Sequence, residues 1–175
     1  MRKKLLTTET QGGMNVISDN ALTQQMQLQL APLYRLSLSI LRSRSDAQDA
    51  VQQGMLRAWE KRRQVSEESK IRAWLTRIVV NECRNIQRKR MRVFPVSQMP
   101  EDAPADDRPG DALKEAMDAL EEKLRTPLLL HYMEGFSEKE IAGILGIPQT
   151  TVKSRMYRAR RALRIELEDA EVRFI

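Results

Sequence analysis

Apolar residues recur three or four positions apart along most of the chain, a spacing that predicts amphipathic helices rather than strands. In the first, Leu22, Met26, Leu30, Leu33, Leu36 and Ile40 keep the period, with Asp19 or Asn20 as cap, Leu41 as the end and Pro32 as a kink point. A second helix is predicted from a Ser45 cap to about Arg63, with Ala47, Val51, Gly54, Met55 and Ala58 facing inward. The third runs from about Lys70 to Arg90 on Ile71, Leu75, Ile78, Val79 and Ile86. Three such helices with short connections make a compact bundle, placed over 19–94.

The period then stops. Residues 95–110 hold four prolines and a glycine, the composition of a flexible linker. It resumes in a second domain over 111–170, with helices predicted from Asp111 to Leu124 and from Pro127 to Met133, the latter ended by Gly135. Ser137-Glu-Lys-Glu140 is a capping box opening a short helix through Ile141, Ala142, Ile144 and Leu145. Gly146-Ile147-Pro148 breaks that helix before a long one begins between Gln149 and Thr151. Ala142, Gly146 and Val152 stand at the spacing of a helix-turn-helix: a small residue for close approach, a glycine for the left-handed turn and an apolar residue to pack the second helix on the first. The expected fold class is all-α: a three-helix bundle, then a four-helix domain with a helix-turn-helix. Residues 1–18 are expected to be a disordered tail, with Met14 as an alternative translation start.

Composition narrows the function. The chain has 175 residues, 41% hydrophobic and 31% charged, and its longest uncharged apolar stretches fall far short of the ~20 residues a membrane span requires. One cysteine, Cys83, cannot form an internal disulfide, and with one histidine, His131, it cannot furnish a zinc site. No cofactor or metal is expected. Met1 to Lys4 are followed by only two leucines before a polar stretch, so no secretory signal is read and a cytoplasmic protein is expected.

The net charge of +6 is unevenly spread: residues 14–94 carry +8, residues 95–112 carry −4, and residues 113–175 are neutral. Within the last part, Lys153 to Arg164 holds six basic residues and no acid. Two basic stripes joined by an acidic segment fit a nucleic-acid binder, since each neutralised phosphate releases counterions; a solvated helix face is the other reading.

At 100° per residue, Val152, Met156, Ala159 and Leu163 form the core stripe of the last helix, which leaves Ser154, Tyr157, Arg158 and Arg161 opposite, flanked by Lys153 and Arg164. The first turns of a recognition helix enter the major groove, so Lys153, Ser154, Tyr157 and Arg158 suit base edges and the later arginines suit phosphates. Tyr157 could instead pack on the preceding helix. On the third helix, Trp74, Arg77, Asn81, Arg84, Asn85 and Arg88 share one flank, a set that can stack on bases, bond their edges and pair with phosphates of a single strand. For Trp74 a core position is the alternative. On the second helix Leu56 lies off the core stripe near Asp49, Gln52 and Trp59, an apolar and acidic combination that suits a protein partner, unless the first helix covers it.

These residues resemble the extracytoplasmic-function sigma factors of bacterial RNA polymerase. The resemblance spans about Leu33 to Leu167 and rests on Ser45-Asp-Ala-Gln-Asp-Ala-Val-Gln-Gln53 with Leu56-Arg-Ala-Trp59, on Ile71-Arg-Ala-Trp-Leu-Thr-Arg-Ile78 with Asn81, and on Glu140-Ile-Ala142 with Thr151-Val-Lys-Ser-Arg155 and Arg158-Ala-Arg160. It implies core RNA polymerase and promoter DNA as partners. The block from Asp46 to Trp59 would dock on the clamp helices of the polymerase's largest subunit. The third helix and the loop Lys61 to Ser69 would melt and capture the −10 element, and the last helix would read the −35 element. It also implies a non-enzymatic role and an anti-sigma factor wedged between the domains. Two departures stand out: Leu120-Glu121 where many members have Leu-Pro, and Thr150 where many have Gly.

Other classes remain as alternatives. A stand-alone helix-turn-helix regulator accounts for the second domain and leaves the third helix without a task. A metal-dependent nuclease could draw on Asp46, Asp49 and Glu60, without a histidine or phosphate loop to assist. Control without an inhibitor would have Glu101, Asp102, Asp106 and Asp107 lie against the basic stripes until DNA displaces them.

Overall fold

The computed structural model describes residues 9–11, 14–65, 67–93 and 112–173. Strands β1 (Glu9–Gln11) and β2 (Met14–Val16) pair antiparallel with Gln11 opposite Met14. This corrects the expected disordered tail for those residues: a Gly-Gly pair in the sequence is a signal for two paired strands that the search for helical periodicity passed over. Ile17 is buried and Ser18 caps the first helix, so order reaches the bundle directly. The remainder of the tail lies outside the described residues.

Helix α1 (Asp19–Leu41) starts where the Ser18 hydroxyl accepts the Ala21 N–H at 3.2 Å, and Pro32 lies inside it. Leu30, expected inward, is 44% exposed, because α2 and α3 cover only the neighbouring stripe of Leu33, Leu36 and Ile40. Arg42 ends α1 with a left-handed φ of 54°, and the chain turns so sharply that Ser43, not Ser45, caps α2 (Arg44–Glu60). A single 3-10 turn over Arg62–Gln64 leads towards α3 (Glu68–Val93). Gly54 lets α2 and α3 meet: a Cβ there would stand 2.6 Å from Val79 Cγ2.

The linker, 95–110, lies outside the described residues. Beyond it come α4 (Ala112–Ala119), α5 (Glu122–Tyr132), α6 (Glu138–Leu145) and α7 (Gln149–Arg173). The sequence pattern predicts one helix through Leu124 and another from Pro127; the break falls earlier. Leu120 turns inward and Glu121 adopts an extended ψ of 141°, its carbonyl accepting the N–H groups of Leu124 and Arg125, so Pro127 falls inside α5. The capping box forms: Glu140 Oε2 accepts the Ser137 N–H at 2.8 Å and Ser137 Oγ accepts the Glu140 N–H at 3.3 Å. Gly146 takes φ 66° and ends α6. Helices α5 and α6 rest on α1 and α3, and the buried apolar side chains of all the helices form one continuous cluster.

Candidate nucleic-acid interface

The turn between α6 and α7 sets the direction of the last helix. The Gly146 N–H and the Ile147 N–H both reach the Ala142 carbonyl, closing α6, and the Pro148 carbonyl accepts the N–H groups of Thr151 and Val152 at the start of α7. Val152, Met156 and Ala159 are buried along one side. Lys153, Ser154, Tyr157, Arg158, Arg161 and Arg164 are all exposed on the other. Tyr157 is 63% exposed, so it does not pack on α6. Lys153 lies 3.9 Å from Glu138 at the start of α6, a solvated pair of little strength.

On α3 the six flank residues divide. Arg77, Asn81 and Arg88 are exposed, while Trp74 is half-buried against the core, which leaves only part of its ring to meet a base. Arg88 donates to Asn85 Oδ1 at 2.7 Å and Asn85 donates to Glu82, so the two are already oriented along the helix. Arg84 is different. Its Nη1 donates to the Leu145 carbonyl at the end of α6, 3.1 Å away, and burial together with the nearby Arg155 and Arg88 lowers its pKa from the usual value.

The α2 face is open. Leu56 is 59% and Trp59 41% exposed, so α1 does not cover them. The Arg62 guanidinium sits 4.9 Å from the Trp59 ring centroid and pairs with Asp19 at 3.1 Å, which holds the ring at the surface. Asp49 and Gln52 are exposed beside them, whereas Asp46 is half-buried and paired with Arg90 of α3. Among the described residues no three His, Cys, Asp or Glu side chains gather as a metal ion would require, and no helix is long and apolar enough to cross a membrane.

Several residues that periodicity did not single out join the two halves. Arg72 of α3 pairs with Glu134 at 3.2 Å and lies 4.4 Å from the Phe136 ring centroid. Arg42 pairs with Asp118 at 3.0 Å, and the buried Arg125 donates to the Ile40 carbonyl at 3.2 Å. Beside this junction an apolar groove of about 910 Å³ opens between the end of α1 and helices α4, α5 and α7, lined by Leu38, Met117, Leu128, Tyr132 and Leu163, with Arg164 on its lining as well.

Two family models match the chain: Sigma-70 region 2 over residues 27–93 and Sigma-70, region 4, over residues 110–163. The RNA polymerase sigma factor SigV of Bacillus subtilis is 30% identical over 138 residues, covering 77% of this chain and 83% of that protein. The ECF RNA polymerase sigma factor SigM of Mycobacterium tuberculosis is 32% identical over 136 residues, 75% of this chain and 69% of that one. Among solved structures, the sigma factor RpoE in complex with the anti-sigma factor NepR from Bartonella quintana superposes with a TM-score of 0.69 at 31% identity, covering 83% of this chain and 96% of that one. CnrH, in complex with the cytosolic domain of CnrY, has the same fold with a TM-score of 0.63 at 22% identity, covering 87% of this chain and 90% of that one.

Proposed function

The chain belongs to the extracytoplasmic-function sigma factors, which direct bacterial RNA polymerase to promoters, and from that premise we propose how its surfaces divide the work. Residues 111–170 form the region 4 domain, and α7 reads the −35 element: Lys153, Ser154, Tyr157 and Arg158 address base edges, Arg161 and Arg164 the phosphates. The observation that carries this assignment is the clean separation on α7 between the buried Val152, Met156 and Ala159 and an uninterrupted exposed basic face. Residues 19–94 form the region 2 domain. There Arg77, Asn81, Asn85 and Arg88, with the outer part of Trp74 and with Arg84 once released from Leu145, hold the −10 strand.

The α2 face, Asp46, Asp49, Gln52, Leu56 and Trp59, docks on core polymerase; exposed apolar anchors beside acids on a basic domain favour protein over DNA. An anti-sigma factor is a further partner, supported by one similar protein solved with one and by an apolar groove that draws its walls from both domains. The chain acts in the cytoplasm beside polymerase and performs no chemistry of its own.

In vitro transcription with core polymerase on fragmented genomic DNA tests the reading directly. Discrete promoter-specific starts that require the chain are expected. Leu56→Ala and Asp49→Lys should abolish co-purification with core polymerase while circular dichroism stays unchanged. Undiminished core binding by both would remove α2 as the docking face.

A further inference from the structure

The closed arrangement covers little of either proposed DNA surface. All six α7 residues stay exposed, and of the six on α3 only Arg84 is engaged across the junction. What the closed arrangement denies the chain is reach. Elements named for positions −10 and −35 lie about 25 base pairs apart, ~85 Å along B-DNA at 34 Å per ten base pairs. A folded body of this length has a radius of gyration of about 16 Å and is about 40 Å across. One closed body cannot touch both.

The contacts that keep it closed are specific. Arg72 forms an ion pair with the buried carboxylate of Glu134, donates to the Glu134 carbonyl and lies over the buried Phe136 ring. The His131 ring bonds the Phe136 carbonyl at 2.9 Å, so that segment is itself fixed. On the stripe of α3 between Arg72 and Arg84, Thr76 and Val80 are buried. At the two ends of the junction the domains cap one another: Arg84 of α3 donates to the last carbonyl of α6, and Arg125 of α5 to the Ile40 carbonyl near the end of α1. Each guanidinium meets the negative end of the other domain's helix.

We propose that Arg72, Glu134 and Phe136, with the reciprocal caps by Arg84 and Arg125, form an interdomain clasp that holds the free chain closed and must open before both promoter elements can be bound. This rests on the sigma-factor assignment of the two DNA surfaces. It is made of helix contacts alone, and the linker acids Glu101, Asp102, Asp106 and Asp107 lie outside the described residues. It also makes Arg84 a shared residue, since the side chain that would meet the −10 strand is the one that lets go of α6. Closure therefore lowers the apparent affinity for a promoter that carries both elements by the fraction of open chain, and weakening the clasp raises it.

Small-angle scattering on the full chain, with the Arg72→Glu, Glu134→Arg and doubly exchanged Arg72→Glu/Glu134→Arg variants, tests the clasp. Wild type should give about 16 Å, and each single reversal about 23 Å, as for two domains no longer held together. The double exchange should return to the compact value. Titrations of a promoter carrying both elements with the reconstituted holoenzyme should follow in parallel, with each reversal binding at several-fold lower concentration and the exchange restoring wild type. Arg72→Ala serves where a reversal loses helix content by circular dichroism. An extended wild type, or folded reversals that stay compact, would overturn the clasp. Expansion with no promoter-directed initiation by any variant, wild type included, would instead sink the assignment of the DNA surfaces and leave the clasp standing.

Discussion

At the scale of single residues, position along α7 separates two kinds of arginine. Arg158 stands one turn from the start of the exposed face, where a side chain reaches base edges; Arg164 stands nearly two turns further on, along the groove. Arg158→Ala should cost about 1–3 kcal/mol and relax preference at one upstream position, while Arg164→Ala should weaken all promoters alike. Binding of the reconstituted holoenzyme to a library of −35 variants distinguishes them, and an even loss from both would reject the reading face. Gly54 makes a purely structural counterpart. With Val79 Cγ2 2.6 Å from where a Cβ would sit, Gly54→Ala must part α2 from α3, and a loss of about 1–3 kcal/mol in chemical denaturation is expected. Cys83 is fully buried and its thiol is pushed up to about 11 by that burial, so it should resist thiol reagents at neutral pH until the bundle unfolds. Modification of the folded chain at the rate of a free thiol would contradict the packing of α1 on α3.

At the scale of elements, the sequence spoke clearly wherever one local signal decided the outcome. Ser137 and Glu140 declare the start of α6 because both halves of a reciprocal cap lie within four residues. Hydrogen bonds from the Ser137 hydroxyl and backbone hold the Glu140 carboxyl below the usual carboxylate range. A depressed folded-state pKa gives a contribution that is present above the unfolded value and lost as pH falls through the folded one. The stability gap between wild type and Glu140→Gln should accordingly narrow in acid, below about pH 4, as read by denaturant midpoints at several pH values. A gap independent of pH would show that the carboxylate does not cap. Where two signals competed, the element was misplaced. Apolar residues run on through Leu120, Leu124 and Leu128, so the period concealed the extended Glu121 that divides α4 from α5. Ser43 and Ser45 are both good caps, and the left-handed Arg42, a tertiary turn without a sequence mark, chose the first. The faces of α3 and α7 were legible because a wheel needs only the period; the partner of Arg84 was not, because α6 lies more than fifty residues away in sequence.

At the scale of the whole molecule, the two domains are each small enough for their contact to matter. Bundles of some 60–75 residues bury only about 60% of the surface their unfolded chains expose, which leaves each marginal alone. In the closed chain their buried apolar side chains join in one cluster, and the half-buried Arg72 lies at the seam with the buried Glu134 and Arg125. Nothing in the periodicity announces this, since Arg72 and Glu134 read locally as solvated charges and acquire their roles only when 62 residues of separation are closed. A shared seam ties the unfolding of one domain to the other. Wild type should therefore melt in one transition, with calorimetric and van't Hoff enthalpies equal. Arg72→Glu places a carboxylate against the buried Glu134, and an uncompensated charge of that kind breaks the seam before it harms either bundle. Its thermogram should split into two transitions, the less stable one below the wild-type midpoint, and the Arg72→Glu/Glu134→Arg exchange should merge them again. Two transitions in the wild type would mean that the domains touch without sharing stability, and polymerase would then meet an already open chain.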